Sequence, residues 1–385
     1  MSLSDRHALA ADFIFDGDTL RENHAVVVDG ATIAAVVPRR ELPAAIAVRD
    51  MPAGAWLAPG FIDVQVNGGG DVLFNDVPTS EGIAAIAAAH RRFGTTALLP
   101  TLISDTPDRM QAALAAVQRM VGVHPGVLGI HLEGPFLSPE RPGVHDPAAI
   151  RRPHMDDIAM LTGLRDGVTL VTLAPEQAPP GFVAALARAG VRVSLGHSMA
   201  TYEETQRAIA EGLTGFTHLF NAMRPLASRD PGPIGAALET PGCWFGLIVD
   251  GAHVHPSVLR LALRGAGQAM LVTDAMPPVG GTRASFTLYG QEITVQGGQC
   301  LRADGTLAGA ALDMASAVRN VVTQIGLPLT TALRLASTSP AAFLGLSGAL
   351  GRLAPDYRAD LVAFDEDINV LATWVAGQGS DDLPR

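Results

Sequence analysis

From residue 59 onward the chain repeats one pattern. A short apolar run meets a polar or glycine-rich break, and an alanine-rich stretch with apolar residues at helical spacing follows. The apolar runs fall at 61–66, 95–100, 127–133, 168–174, 191–197, 215–218, 244–249 and 270–274. Between them, 81–93, 107–121, 179–189 and 201–211 read as amphipathic helices. Apolar strands alternating with helices predict parallel strands buried on both faces, closed as a (β/α)8 barrel of the TIM type.

The flanks have a different texture. Short β-type runs at 25–28 and 32–37 lie beside Asp-Gly pairs at 16–17 and 29–30, which read as hairpin turns. After the eighth run, 287–290 and 292–295 around turn glycines predict a β-hairpin inserted near 284–307. Helical texture returns over 313–325 and 329–344, and the tail is again β-like. Residues 1–57 and 350–385 are thus expected to pair as a small β-sandwich domain, with the barrel over 58–349.

Composition narrows the function. A chain of 385 residues with 48% hydrophobic and 17% charged residues suits a globular protein with a large core. No apolar run reaches the roughly 18 residues of a membrane helix, and the first residues carry acids where a secretory signal would be apolar. A formal charge of -11 opposes binding to nucleic acid. Cys243 and Cys300 form no CxxC pair, so neither a disulfide framework nor a thiolate zinc site is indicated, and a reducing cytoplasm is expected. All 27 basic residues are arginine. Schiff-base chemistry, a phosphate-loop lysine and a carbamylated lysine bridging two metals are therefore excluded.

In a barrel of this kind chemistry sits at the C-terminal ends of the strands. Those ends read Gln65 with Asn67, Thr101, Glu133, Glu176, His197, His218, Asp250 with His253, and Asp274. Glu133, His197 and His218 offer one carboxylate and two imidazoles from three strands, the donor set of a catalytic zinc with an open position. Asp274 faces the same mouth as a candidate base. His131 shares a strand face with Glu133 but lies deeper, as a buried core or supporting histidine. After Glu133, the segment GPFLSPERPGVH stiffens a loop with three prolines and delivers His145.

With these residues assembled, the chain resembles the N-acetylglucosamine-6-phosphate deacetylases of the amidohydrolase superfamily. The likeness rests on PGFIDVQVNG at 59–68, HLEGPF at 131–136, SLGHS at 194–198, FTHLFNAM at 216–223, DGAHVHP at 250–256, LVTDAM at 271–276 and ADLVAFD at 359–365. The resemblance implies hydrolysis of the N-acetyl group of N-acetylglucosamine 6-phosphate to glucosamine 6-phosphate and acetate. It makes Glu133, His197 and His218 the metal ligands, Asp274 the base that later protonates the leaving amine, and His145 a polariser of the acetyl carbonyl. Asn221, Ala222, Arg229 and His253 match positions that hold the sugar phosphate. Arg224 competes with Arg229 for the phosphate, and His255 competes with His253. A homodimer is implied, with Arg229 serving its own or the neighbouring site. Many superfamily members begin strand one with His-x-His and hold two metals. Here Gln65-Val66-Asn67 stands in that place, and with no lysine to bridge, one divalent ion per subunit, zinc, is expected. Two other readings stay open: a hydrolase of a different N-acyl or cyclic amide, and a sugar-phosphate binder without catalysis.

Overall fold

The computed structural model describes residues 6–380. The described residues divide into two compact units, one of residues 6–63, 88–97 and 313–380, the other of residues 64–87 and 98–312.

In the first unit the strands Arg6–Phe15, Leu20–Asp29, Thr32–Pro38, Ala47–Asp50 and Trp56–Pro59 join Leu361–Phe364, Val370–Val375 and Gln378–Gly379 in one eight-stranded sheet. Its first hairpin turns near Asp16-Gly17, where Asp16 Oδ1 accepts from the Asp18 and Thr19 amides. Alternation along the strands supplies two apolar faces. Leu9, Val26, Leu57, Leu361 and Trp374 pack on one side, and Ala8, Ala10, Ala25 and Val27 on the other. The helices Met314–Asn320, Leu329–Ala336 and Thr338–Leu344 also cluster with these strands, although their texture placed them with the barrel. The reason is specific polar anchoring: Arg319 donates to the carbonyls of Asp367 and Ile368, and Thr338 to those of Gly17 and Gly351.

The second sheet is parallel, eight-stranded and ordered sequentially. Its strands are β1 (Phe61–Val66), β2 (Thr95–Ile103), β3 (Gly129–Glu133), β4 (Val168–Leu173), β5 (Arg192–Leu195), β6 (Gly215–Phe216), β7 (Trp244–Leu247) and β8 (Gln268–Leu271). A parallel bridge between Val66 and Ala275 brings the last strand's exit back to the first and nearly closes the barrel. Every residue of β1, β2 and β3 is buried, as two covered faces require. The barrel interior is not wholly apolar. His131 spans the hydroxyls of Thr101 and Thr172, at 3.3 and 2.7 Å, and Thr217 links Thr172 to Ser194 at 2.6 and 2.7 Å. Burial pushes His131 down to about 4, so it sits there as a neutral hydrogen-bonding group. The sequence reading of a core histidine agrees with this place.

After β8 the chain forms four strands where a hairpin was expected: Ser285–Leu288, Gln291–Gln296, Gln299–Leu301 and Leu307–Ala310, an antiparallel meander. The glycine pairs and the short Gln299–Leu301 strand carry too little alternation to announce the outer half. Leu288, Ile293, Cys300 and Ala308 from this meander bury against Leu73, Ile103 and Met276. Among the described residues no helix is long and apolar enough to cross a membrane.

Candidate metal centre and active site

Three strand exits of the barrel bring Glu133, His197 and His218 together, all buried, with one potential ligand atom of each within 4.8 Å of the others. His197 Nε2 lies 3.2 Å and His218 Nε2 2.9 Å from Glu133 Oε1, and the two nitrogens are 3.1 Å apart. His197 Nδ1 is 2.8 Å from the Arg141 carbonyl, which only accepts, so Nδ1 carries the proton. In the neutral ring Nε2 then aims a lone pair at a carboxylate oxygen. A cation at the meeting point satisfies both, and the donor set of two imidazoles and a carboxylate fits a divalent ion with an open position.

The electrostatics point the same way. Burial alone would raise the Glu133 carboxyl, yet hydrogen bonds and charge from His197 and His218 outweigh it and hold it well below the usual range. Burial would likewise depress His218, but Glu133 outweighs it and His218 is raised. The spot between these side chains favours positive charge.

The expectation that these strands run as far as His197, His218 and Asp274 needs correction. β5, β6 and β8 end at Leu195, Phe216 and Leu271, and the three site residues follow in left-handed backbone, with φ of 48°, 34° and 51°. Non-glycine residues seldom adopt that region, and when they do at a site the surroundings hold them there. One such hold is Glu176, half-buried after β4, which accepts from Ser198 Oγ and the Met199 amide at 2.7 Å each. Ser198 in turn pairs with the segment beyond β6, its amide donating to the Ala222 carbonyl.

Asp274 Oδ1 accepts from Asn67 Nδ2 at 2.7 Å and from Gln65 Nε2 at 3.1 Å, and Gln65 Nε2 also donates to Glu133 Oε2 at 3.0 Å. The Gln65 amide therefore ties the candidate base to the candidate ligand. It presents a hydrogen-bond donor where a second metal would need a lone pair. Burial, then the negative charge of Glu133, raises the Asp274 carboxyl above its ordinary value, the direction that favours a proton acceptor.

His145 enters from the proline-bearing loop, its ring centroid 4.4 Å from that of His197 and its Nε2 3.9 Å from Glu133 Oε1. Its Nδ1 faces the Ser104 amide at 3.1 Å and Ser104 Oγ at 2.8 Å. A backbone N–H only donates, so Nδ1 is the acceptor and the neutral ring carries its proton on Nε2, toward the cavity. Burial, reinforced by His197, holds His145 well below its usual range and keeps it neutral. Glycine is required beside this assembly: a Cβ on Gly143 would stand 2.9 Å from His197 Cε1, and one on Gly134 only 2.3 Å from Ser104 Oγ.

These groups line an open cavity of about 300 Å³ with Asn67, Asn221, Ala222, His253 and, from the inserted meander, Thr306, Leu307 and Gly309. His253 is oriented by a 2.6 Å bond from Nδ1 to Asp250 Oδ2. His255 instead accepts from the Ser257 amide at the start of the helix Pro256–Ala262, and does not line the cavity. Arg224 is engaged at 2.6 Å by Asp230, which closes the base of its loop. Arg229 occupies the tip of that loop, exposed, as the second residue of the two-residue turn between Ala227 and Asp230, and is not among the residues lining the cavity. Ser104 escaped the sequence reading, which ended the second strand at Pro100. The strand runs on through Pro100 to Ile103.

A barrel with two imidazoles and a carboxylate converging at its mouth defines a class, and comparison with known proteins agrees. Residues 56–379 match the Amidohydrolase family and residues 7–57 match the NagA composite domain. The chain belongs to the amidohydrolase family. Within it, the chain falls among the deacetylases of N-acetylhexosamine 6-phosphates. It is 45% identical over 327 residues to the N-acetylgalactosamine-6-phosphate deacetylase of Shewanella sp., covering 84% of this chain and 82% of that one. It is 36% identical over 368 residues to the N-acetylglucosamine-6-phosphate deacetylase of Haemophilus influenzae, covering 94% and 95%. The crystal structure of N-acetylglucosamine-6-phosphate deacetylase from Pasteurella multocida superposes with a TM-score of 0.94 at 35% identity, covering 97% of this chain and 99% of that one.

Proposed function

We propose that this protein is a metal-dependent deacetylase that converts N-acetylglucosamine 6-phosphate and water to glucosamine 6-phosphate and acetate. The observation that carries the reading is the meeting of Glu133, His197 and His218 in the cavity that Asp274 and His145 also face. We assign Glu133, His197 and His218 as ligands of one divalent ion, zinc by its nitrogen and oxygen donors. When bound, such an ion supplies a Lewis-acid centre and acidifies water near neutral pH.

The side chains do the rest. Asp274, its Oδ1 held by two amides, takes the proton of the attacking water at Oδ2. The Nε2–H of His145 donates to the acetyl carbonyl oxygen as negative charge grows there. When the C–N bond breaks, Asp274 returns its proton to the departing nitrogen, which leaves as the amine. Asn221, the Ala222 backbone and His253 hold the sugar. Arg229 binds the phosphate with the planar donor geometry that suits it. Because Arg229 sits on an exposed loop tip outside its own cavity wall, we assign it to the neighbouring site of a homodimer. We place the protein in the cytoplasm, a reading that the free thiols of Cys243 and Cys300 support.

Acetate release from N-acetylglucosamine 6-phosphate tests the reading, measured after chelation and again after adding back zinc. The expected outcome is loss on chelation and recovery on add-back. Equal turnover of the unphosphorylated sugar would remove phosphate recognition, and binding without any acetate release would leave a sugar-phosphate binder. Faster turnover of the galactosamine epimer would move the substrate to the one named for the Shewanella relative.

A further inference from the structure

Beneath His145 lies a chain of contacts that the chemistry above does not use. Ser104 is buried, and both peptide planes flanking it are fixed from outside β2. The plane before it has its oxygen, Ile103 O, held by Asn75 Nδ2 at 2.9 Å, while Asn75 Oδ1 accepts from the Ile103 amide at 3.1 Å. The N–H of that plane is the Ser104 amide, and with its oxygen pinned on Asn75 the N–H is directed to His145 Nδ1. In the plane after it, Ser104 O accepts from the hydroxyl of Tyr289 at 2.6 Å. Tyr289 sits at the first turn of the inserted meander, itself in left-handed backbone with φ of 49°. Between the two planes the Ser104 hydroxyl reaches the same Nδ1 at 2.8 Å.

We propose that Ser104 is the residue that sets the tautomer of His145, and that Tyr289 and Asn75 hold Ser104 in the attitude that does so. Two donors on Nδ1 exclude a proton there, so the neutral ring presents N–H at Nε2, on the cavity side. With Nδ1 protonated instead, the ring would turn a lone pair toward the oxygen it has to stabilise. Ser104 is not among the residues that line the cavity, and it acts through His145 as a positioning residue. Through Tyr289 the inserted meander takes part in the chemistry as well as lining the cavity. The consequence for turnover rests on the role given to His145 above, but the tautomer itself does not.

The test uses the full-length protein labelled with 15N-histidine, the His145 signals being assigned by their loss in His145→Ala. Wild type is expected to show a single Nε2–H form at His145. Ser104→Ala, which keeps only the amide, and the double variant Ser104→Ala/Tyr289→Phe are expected to show progressively more of the Nδ1–H form. Losses of supporting hydrogen bonds of this kind cost roughly 10- to 100-fold, and kcat should fall by that much while KM stays within about threefold. Ser104→Thr, which retains a hydroxyl, should recover most of the loss. If the Nε2–H form persists in the double variant, the proposal fails. If Ser104→Ala does not fold, Tyr289→Phe alone carries the tautomer measurement, and an unchanged tautomer there overturns the role of Tyr289. A shifted tautomer with His145→Ala still fully active would keep the positioning and remove the reading of His145 as carbonyl polariser.

Discussion

The terminal sheet and the barrel mouth use opposite means to hold their side chains. In the sheet, Arg6–Phe15 and Leu20–Asp29 pair in antiparallel register from Arg6–Asp29 to Phe15–Leu20, and Leu57, Leu361 and Trp374 fill the interior. Charges stay at its rim, as in the exposed pair Arg39–Asp50. At the barrel mouth the Glu133 carboxylate and the imidazoles of His145, His197 and His218 are buried together beside the half-buried Asp274, and three of these residues have left-handed backbone. Burying such groups costs free energy that packing does not return. The difference teaches that stability resides in one region and chemistry in the other, and it can be attacked from both sides.

The largest effect is expected from Asp274→Asn. Removing a general base costs about 10²- to 10⁴-fold in kcat, and metal content by elemental analysis should be unchanged because Asp274 is not in the ligand set. The melting temperature should hold or rise, since a half-buried negative charge beside Glu133 is gone. A variant that keeps a tenth of its activity, or loses its metal, breaks the comparison. Trp374→Ala should do the reverse. Emptying a fully buried tryptophan costs about 3–5 kcal/mol in denaturant unfolding, with KM of the remaining folded enzyme unchanged. A shift in KM would show that the two roles are not separate. Smaller still, Arg229→Ala should raise KM roughly 10- to 100-fold, the worth of one charge-assisted hydrogen bond, with kcat nearly constant. Mixing Arg229→Ala with Asp274→Asn subunits should restore activity if the arginine serves its neighbour. Failure to restore, with an unchanged KM in the single variant, would shift the phosphate to Arg224.

The barrel was legible in the sequence because parallel strands buried on both faces must be written as apolar runs. The meeting of Glu133, His197 and His218 was legible because each stands at the end of such a run or two residues beyond it. What could not be read was backbone curvature. Nothing in Gly196-His197-Ser198 announces that His197 turns left-handed, since the cause is Glu176 and Ala222, far away in sequence. Gln65 and Asn67 were visible as replacements for imidazoles. Their bonds to Glu133 and Asp274 came only with the closing of β1 against the exit of β8. Pro100 concealed Ser104 by ending the second strand too early. The inserted meander was seen at half its extent because its later strands are short and polar.

That meander is one uninterrupted stretch of chain, residues 285–310, whereas the groups assigned to metal and proton transfer all lie outside it. Thr306 and Leu307 can therefore be exchanged to refit the cavity to another acyl group or sugar without touching Glu133, His197 or His218. Gly309 must stay, because a Cβ there would stand 2.6 Å from Met276 Cγ and 3.0 Å from the Asp274 carbonyl oxygen. The exchange has a further constraint. A transplanted segment must return a hydroxyl to the place of Tyr289, or it would alter the hydrogen-bond donor that His145 presents to whatever the refitted cavity admits.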